Sequence, residues 1–163
     1  MCCQERSGIS PVAGSGKGDK VLEAGKSQIG KPYAWGDGNK YGASKEMKQT
    51  IEPFCYDGNN IGFDCSGLTL YSVYQGCGVE LPRTAADQYN YAKTYGKLVS
   101  YISAQPGDIL FYNSGGSISH VAIFSRAGKR VHAPGHYPDC TPKLVQEDTI
   151  YQDNLVSQVG RFC

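Results

Sequence analysis

Residues 63 to 67 read FDCSG: a cysteine between an acid and a hydroxyl, just before an apolar, helix-like run. A cysteine at a helix start faces unpaired backbone amides and the positive end of the macrodipole, both of which favour an anion. Cys65 is therefore expected to titrate below the ordinary thiol value of about 8.5, toward neutrality. A thiolate there is a good nucleophile but needs a base or imidazolium partner. The chain offers three histidines: His120, His132 and His136. In a nucleophilic triad, Cys65 would attack a carbonyl, His120 would take or hold its proton, and His132 would orient the His120 ring. The amide of Cys65 or its neighbour could serve as an oxyanion donor. The chemistry of such a set is acyl transfer, most simply amide hydrolysis.

Each residue also has a plainer reading. Cys65 could be a disulfide partner, the default for one cysteine in a cysteine-rich chain. His120 sits in an apolar run and could be a satisfied core histidine. His132 could be an exposed strand residue or a pH-sensitive surface group. Ser66 could merely cap a helix. A Cys/His/His set could also bind zinc.

Whether His120 and His132 can meet depends on the turn between them. SHVAIFS and KRVHAP read as two strands flanking Arg126-Ala127-Gly128. A two-residue loop at 127–128 pairs 126 with 129 and puts the two histidines on opposite faces. A three-residue loop at 126–128 pairs 125 with 129, so 122 faces 132 and 120 faces 134. His120 and His132 then share a face as diagonal neighbours, roughly 7–8 Å apart at the backbone. Three-residue hairpins favour a left-handed residue in last position, and Gly128 stands there. The turn chemistry favours the arrangement catalysis would need.

The remaining elements follow from local signals. Asp19 can cap a helix from Lys20 to about Ile29, stopped by Gly30 and Pro32. KPYAWGDGN is extended and turn-bounded. Residues 37–62 form a long glycine-rich excursion that holds Cys55, a length that is usually functional or disulfide-held. Asp64 can cap the next helix by accepting the amide of Ser66 or Gly67. Leu68, Tyr71, Ser72 and Gln75 follow at helical spacing, and Gly76-Cys77-Gly78 ends the run. Thr84 can cap a third helix, with Asp87 three residues on, ending near Gly96. GDILFY, the two hairpin strands and NLVSQVGRF then make a meander. Helices first and strands second imply an α+β class with an antiparallel sheet.

The totals bound the rest. The 163 residues suit one domain, with a glycine- and serine-rich lead-in over 1–18 and a folded unit over 19–163. Sixteen Lys and Arg against fifteen Asp and Glu give no pull toward nucleic acid or an anionic membrane. No apolar run approaches the length of a membrane span. The start MCCQERSGIS is no signal peptide, so a secreted protein of this sequence would have lost its leader and gained Met1. The seven cysteines, at 2, 3, 55, 65, 77, 140 and 163, contain no CxxC pair and spread from end to end, as in a stapled secreted fold. Six can form three bridges and leave one free. The other reading is a cytosolic protein with seven buried thiols.

Taken in order, YAWGDG, GFDCSGLTLYSVYQGCGVELPRTAADQ, QPGDILFY, SHVAIF and VHAPG resemble the NlpC/P60 family of papain-like cysteine peptidases over roughly residues 20–135. The resemblance implies an α+β papain-like fold, with the nucleophile at a helix N-terminus and helices packed on an antiparallel sheet. It implies cleavage of peptidoglycan stem peptides, typically between γ-D-glutamate and a diamino acid. Carried over by motif, Cys65 is the nucleophile, His120 the base and His132 the third polar residue. Tyr33 matches a tyrosine lining the site. Asp64 and Ser66 match positions that help hold substrate, often its free amino end, and Arg83 matches a supporting residue near the site. Trp35 is assigned to packing.

A secreted monomer without cofactor or metal, acting on peptidoglycan peptides, is the expectation. The excursion between Trp35 and Gly62 and the extra cysteines depart from the family pattern. With Cys65 kept free, Cys2 or Cys3 would bridge to Cys163 and tie the termini. Cys55, Cys77 and Cys140 would complete the set with the other N-terminal cysteine. Competing functions are an amidase or acyltransferase using the same triad on another amide or lipid, a non-catalytic module holding wall peptides, and a zinc protein.

Overall fold

The computed structural model describes residues 16–45, 50–51, 55–57 and 59–163. Among them, helices come first and a six-stranded antiparallel sheet second, the expected α+β order. The helices are α1 (Gly16–Lys26), α2 (Cys65–Cys77) and α3 (Ala85–Thr94). A short ribbon of β1 (Thr50–Ile51) and β2 (Cys55–Tyr56) lies within the excursion. The sheet strands are β3 (Leu98–Ser100), β4 (Ile109–Ser114), β5 (Ser117–Arg126), β6 (Lys129–His132), β7 (Gln146–Thr149) and β8 (Leu155–Gly160). Their spatial order is β3-β8-β4-β5-β6-β7.

Helix α2 starts where its sequence says it should. Asp64 is extended (φ −89°, ψ −178°), and its carboxylate accepts the Gly67 amide at 2.8 Å, satisfying one of the orphan donors of the first turn. Gly78, at φ 76°, closes the other end with its amide on Tyr74 O at 2.8 Å. The buried stripe runs through Leu68, Thr69, Ser72, Val73 and Gly76. Tyr71 is only half-buried and Gln75 is exposed, so the stripe is turned by about one residue from the expected one. The reason is that α2 packs against both α1 and β5, which widens its covered face. Leu68 and Phe63 are fully buried there, each worth roughly 1.5–3 kcal/mol of apolar transfer.

The third helix is capped as expected, Thr84 Oγ1 accepting the Asp87 amide at 3.1 Å. The first helix differs from expectation. It runs from Gly16 to Lys26, so Asp19 stands in its first turn and residues 27–30 form a turn. An aspartate is favoured both as a cap and in the first turn, so its presence alone does not fix the boundary.

The sheet divides its side chains by parity. Ile109, Phe111, Val121, Ile123 and Val131 join the helices in the main core. Leu110, Tyr112, Ala122, Phe124 and Val159 form a smaller cluster on the other face. Hairpin β5–β6 reaches the expected register by a different route. Arg126 pairs with Lys129 across a two-residue turn, and a bulge at Ser125 then lets Phe124 pair with Arg130 and Ile123 with Val131. The extra residue restores the parity that brings His120 and His132 to one face. Gly128 takes the left-handed conformation at φ 77°.

Of the two disulfides among the described residues, one overturns the expected pairing and the other falls within it. Cys163 bridges to Cys77, not to the N-terminal cysteines, and Cys55 bridges to Cys140. Phe162, buried in the main core, and Cys163 line one hollow with Val73 of α2, which places the C-terminus within reach of Cys77. Cys2 and Cys3 lie outside the described residues.

Candidate active site

Cys65 is the free cysteine among the described residues, and it is the first residue of α2. Phe124 hydrogen-bonds toward the start of β4, its amide donating to Asp108 O at 2.8 Å. By alternation Val121 points to the other side, where β6 has ended at His132. There the Val121 amide donates to the Cys65 sulfur, as does the Ser66 amide. The fold thus carries the sulfur from the helical layer to the backbone of the residue after His120.

The electrostatics differ from the expectation of a lowered thiol pKa. Burial, followed by the Asp64 carboxylate, pushes the Cys65 thiol up to about 12. The amides of Val121 and Ser66 and the Arg83 charge pull the other way and do not prevail. The helix terminus is real, but Asp64, needed as its cap, sets a negative charge beside the sulfur.

The two histidines meet as the register requires. His120 Nε2 lies 2.8 Å from His132 Nδ1, with the rings edge-on at 5.1 Å between centroids. Two nitrogens each about 2.0–2.1 Å from a tetrahedral zinc ion stand about 3.3–3.4 Å apart, so the 2.8 Å pair has the spacing of a hydrogen bond rather than of two zinc ligands. Burial, reinforced by His132, lowers His120 to about 3, and burial together with Arg130 lowers His132 to about 4. Both rings are neutral at neutral pH.

Beyond His132 stands a residue the sequence reading did not single out. His132 Nε2 lies 2.9 Å from Asp148 Oδ2. Arg130 Nε donates to Asp148 Oδ1 at 2.8 Å and Gln146 Nε2 to Oδ2 at 2.7 Å. Asp148 belongs to β7, a polar edge strand reading QEDT that carries no hydrophobic alternation. The available signal was Arg130 and His132 on one face of β6, which calls for an acid on the next strand. His120, His132, Tyr112, Arg130 and Asp148 border a cleft of about 580 Å³ that also takes in Ser119 and Lys143.

The other candidate residues gather around the start of α2. Arg83 donates to Ser66 Oγ and to Asp37 O, both at 2.8 Å, and pairs with Asp64 Oδ1 at 2.9 Å. Asp64 Oδ2 accepts the Gly36 amide at 2.9 Å. Asp64 and Ser66 are thus bonded within the protein, and Arg83 fastens the 36–38 turn to the helix cap. A side chain on Gly67 would place its Cβ 2.3 Å from Asp37 O, so only glycine admits that turn so close. Tyr33 is buried, bridges Phe63 and packs edge-on against His136 at 5.0 Å.

His136, the third histidine, is not part of the His120–His132 pair. Its Nε2 is 2.8 Å from both oxygens of Asp57, which is itself 2% exposed. Asp57 also accepts the Trp35 amide and the Asn60 side-chain amide. Trp35 is half-buried against the core, as assigned. With the Cys55–Cys140 bridge, this pair fixes the end of the excursion to the loop after β6.

The chain matches the profile of the NlpC/P60 family over residues 30–158. It is 38% identical over 126 residues to peptidoglycan endopeptidase RipA of Mycobacterium tuberculosis, covering 77% of this chain and 24% of RipA. A solved structure of RipA mutated at a histidine superposes with a TM-score of 0.72 at 32% identity, covering 90% of this chain and 62% of that one. The γ-D-glutamyl-L-lysine dipeptidyl-peptidase of Bacillus subtilis is 34% identical over 147 residues, covering 86% of this chain and 40% of that enzyme. RipD of Mycobacterium tuberculosis, described as a non-catalytic NlpC/p60 domain protein adapted to peptidoglycan binding, superposes with a TM-score of 0.71 at 26% identity, covering 92% of this chain and all of that one. The chain thus spans less than half the length of the RipA and Bacillus subtilis relatives. With its papain-like helices-on-sheet architecture and a profile match across most of its length, this chain belongs to the NlpC/P60 family.

Proposed function

We propose that this chain is a secreted cysteine endopeptidase that hydrolyses peptidoglycan stem peptides, at the bond between γ-D-glutamate and a diamino acid. One observation carries the reading: an unbridged Cys65 at the start of α2, bonded to the backbone next to His120, whose ring is bonded to His132. The names of the RipA and Bacillus subtilis relatives support the substrate class. The presence of the thiol and both imidazoles favours hydrolysis over the binding role described for RipD. The absence of any helix long and apolar enough to cross a membrane, among the described residues, is compatible with secretion.

At rest the pair is a neutral thiol and a neutral imidazole. As the sulfur attacks the scissile carbonyl, its proton passes to the bare nitrogen of His120 and a C–S bond forms. The oxyanion takes a hydrogen bond from an amide of the α2 first turn. His120 then gives the proton to the departing amine as the C–N bond breaks, leaving a thioester. Water attacks the thioester, His120 accepts its proton, and the thiol is restored as the acid leaves. His132 holds the His120 ring throughout. By the family motif, Tyr33, Asp64, Ser66 and Arg83, which stand around the start of α2, are assigned to holding the substrate.

Digestion of defined muropeptides with product masses tests this reading. The wild-type chain is expected to release fragments ending in D-glutamate, and Cys65→Ala to release none while keeping its fold. Undiminished cleavage by that variant would end the proposal. Intact muropeptides that bind without cleavage would favour the RipD-like role.

A further inference from the structure

We propose that Asp148 is a positioning residue, a fourth member of the relay that fixes both imidazoles in the one tautomer leaving His120 Nδ1 without a proton. The inference rests on the peptidase reading above, but its central observable needs no substrate.

The argument is a count of protons. A carboxylate only accepts hydrogen bonds. Asp148 lies 2.9 Å from His132 Nε2, so that nitrogen carries the His132 proton. His132 is neutral, so its Nδ1 is bare and must accept. Its partner at 2.8 Å, His120 Nε2, therefore donates. His120 is neutral too, so its Nδ1 is left as an acceptor. Reversing any one tautomer sets two protons, or two lone pairs, face to face.

The relay works only if Asp148 stays ionised and stationary. Burial works against its charge, but hydrogen bonds from Arg130, His132 and Gln146 outweigh that and hold the carboxyl at about 2. The strand register supplies the placement. Arg130 is directly opposite Asp148 and His132 directly opposite Gln146, so the acid sits diagonally across from the imidazole. Arg130 is 4% exposed. Its guanidinium lies over the rings of Tyr112, at 5.3 Å, and Tyr151, at 5.1 Å. When His120 gains a proton during turnover, its Nε2–H stays on His132, and the Asp148 charge stabilises the resulting imidazolium through the intervening ring.

The test reads imidazole ¹⁵N shifts and kinetics together. In the wild type both His120 and His132 are expected to be protonated at Nε2, and the opposite tautomer in either ring overturns the proposal outright. In Asp148→Asn the amide can donate to His132, turning the relay around so that His132 is protonated at Nδ1. On a stem-peptide substrate kcat should then fall by up to roughly 10⁴-fold, the loss that an acid-to-amide change causes when it reverses the tautomer of a triad histidine, with KM unchanged. Because Asp148→Asn strands the Arg130 charge, Asp148→Asn/Arg130→Met is measured beside it. It should recover stability without recovering kcat or the original tautomer. Wild-type kcat in either folded variant, or lost kcat with the tautomers unmoved, overturns the proposal. If wild type and Cys65→Ala cleave equally, the peptidase reading fails, whatever the shifts show.

Discussion

His120 and His132, twelve residues apart in sequence, share a hydrogen bond of 2.8 Å between Nε2 of the first ring and Nδ1 of the second. His132 is buried and His120 half-buried; both rings are neutral, and that neutrality has a consequence for acid stability. Their folded values, about 3 and about 4, lie below the ordinary 6.5 of an exposed imidazole. The unfolded chain therefore binds more protons between those limits, and stability rises with pH there. The contribution is complete above about pH 6.5 and is lost as pH falls toward 4 and below. Urea midpoints measured from pH 7 to 4 should decline, and the decline should be shallower in His120→Gln/His132→Gln. An identical slope in that variant would show that these rings are not the groups responsible.

Cys65 should behave as a slow thiol in the absence of substrate. With its proton held up to about pH 12, little thiolate exists at neutrality. Iodoacetamide labelling, followed by mass spectrometry of the Cys65 peptide, should accelerate steadily with pH through the alkaline range. A rate plateau near neutral pH would instead reveal a pre-formed thiolate–imidazolium pair.

Arg83 ties three parts of the site together through Ser66, Asp37 and Asp64. Arg83→Ala should cost about 1–3 kcal/mol, because charge-assisted bonds to a carbonyl and a carboxylate disappear together. A Tm lower by roughly 5 °C is expected for a domain of this size, along with a raised KM. Arg83→Lys should recover little, since an ammonium cannot span three partners as a planar guanidinium does. Full recovery by lysine would mean that only the charge matters.

The two bridges close loops of similar length, with sequence separations of 85 and 86. Chain entropy assigns each about 4–5 kcal/mol before native strain is subtracted. Cys55→Ser/Cys140→Ser and Cys77→Ser/Cys163→Ser should thus lower urea midpoints comparably. Only the first should raise KM, because Cys55–Cys140 and His136–Asp57 together fix the wall beside Tyr33. Equal KM effects from both pairs would refute that division.

Much of this was legible in the residues. The cap at Asp64, the cap at Thr84 and the glycine stop at Gly78 follow from local chemistry, and the structure has each of them. The α+β order was legible too, because the continuous apolar runs ILFY in β4 and VAIF in β5 mark strands buried on both faces. The edge strands β3 and β7 were not legible. LVS and QEDT are short and half-covered, so no periodicity forms. Asp148 was lost with β7. The thiol was read from the helix terminus alone, whereas its titration is decided by burial and Asp64, which only the packed structure reveals. The disulfide partners of Cys77 and Cys140 depend on contacts more than eighty residues apart, which spacing cannot rank.

The bulge at Ser125 gives hairpin β5–β6 one residue more than its pairing requires. Deleting Ser125 would leave Phe124 against Arg130 and Arg126 against Lys129, at the cost of its 2.6 Å bond to Glu147. Losing a residue between His120 and Phe124 would instead rotate His120 toward the helices. The turn can therefore drift in length at one spare position while the imidazoles, farther along the same two strands, keep their partnership.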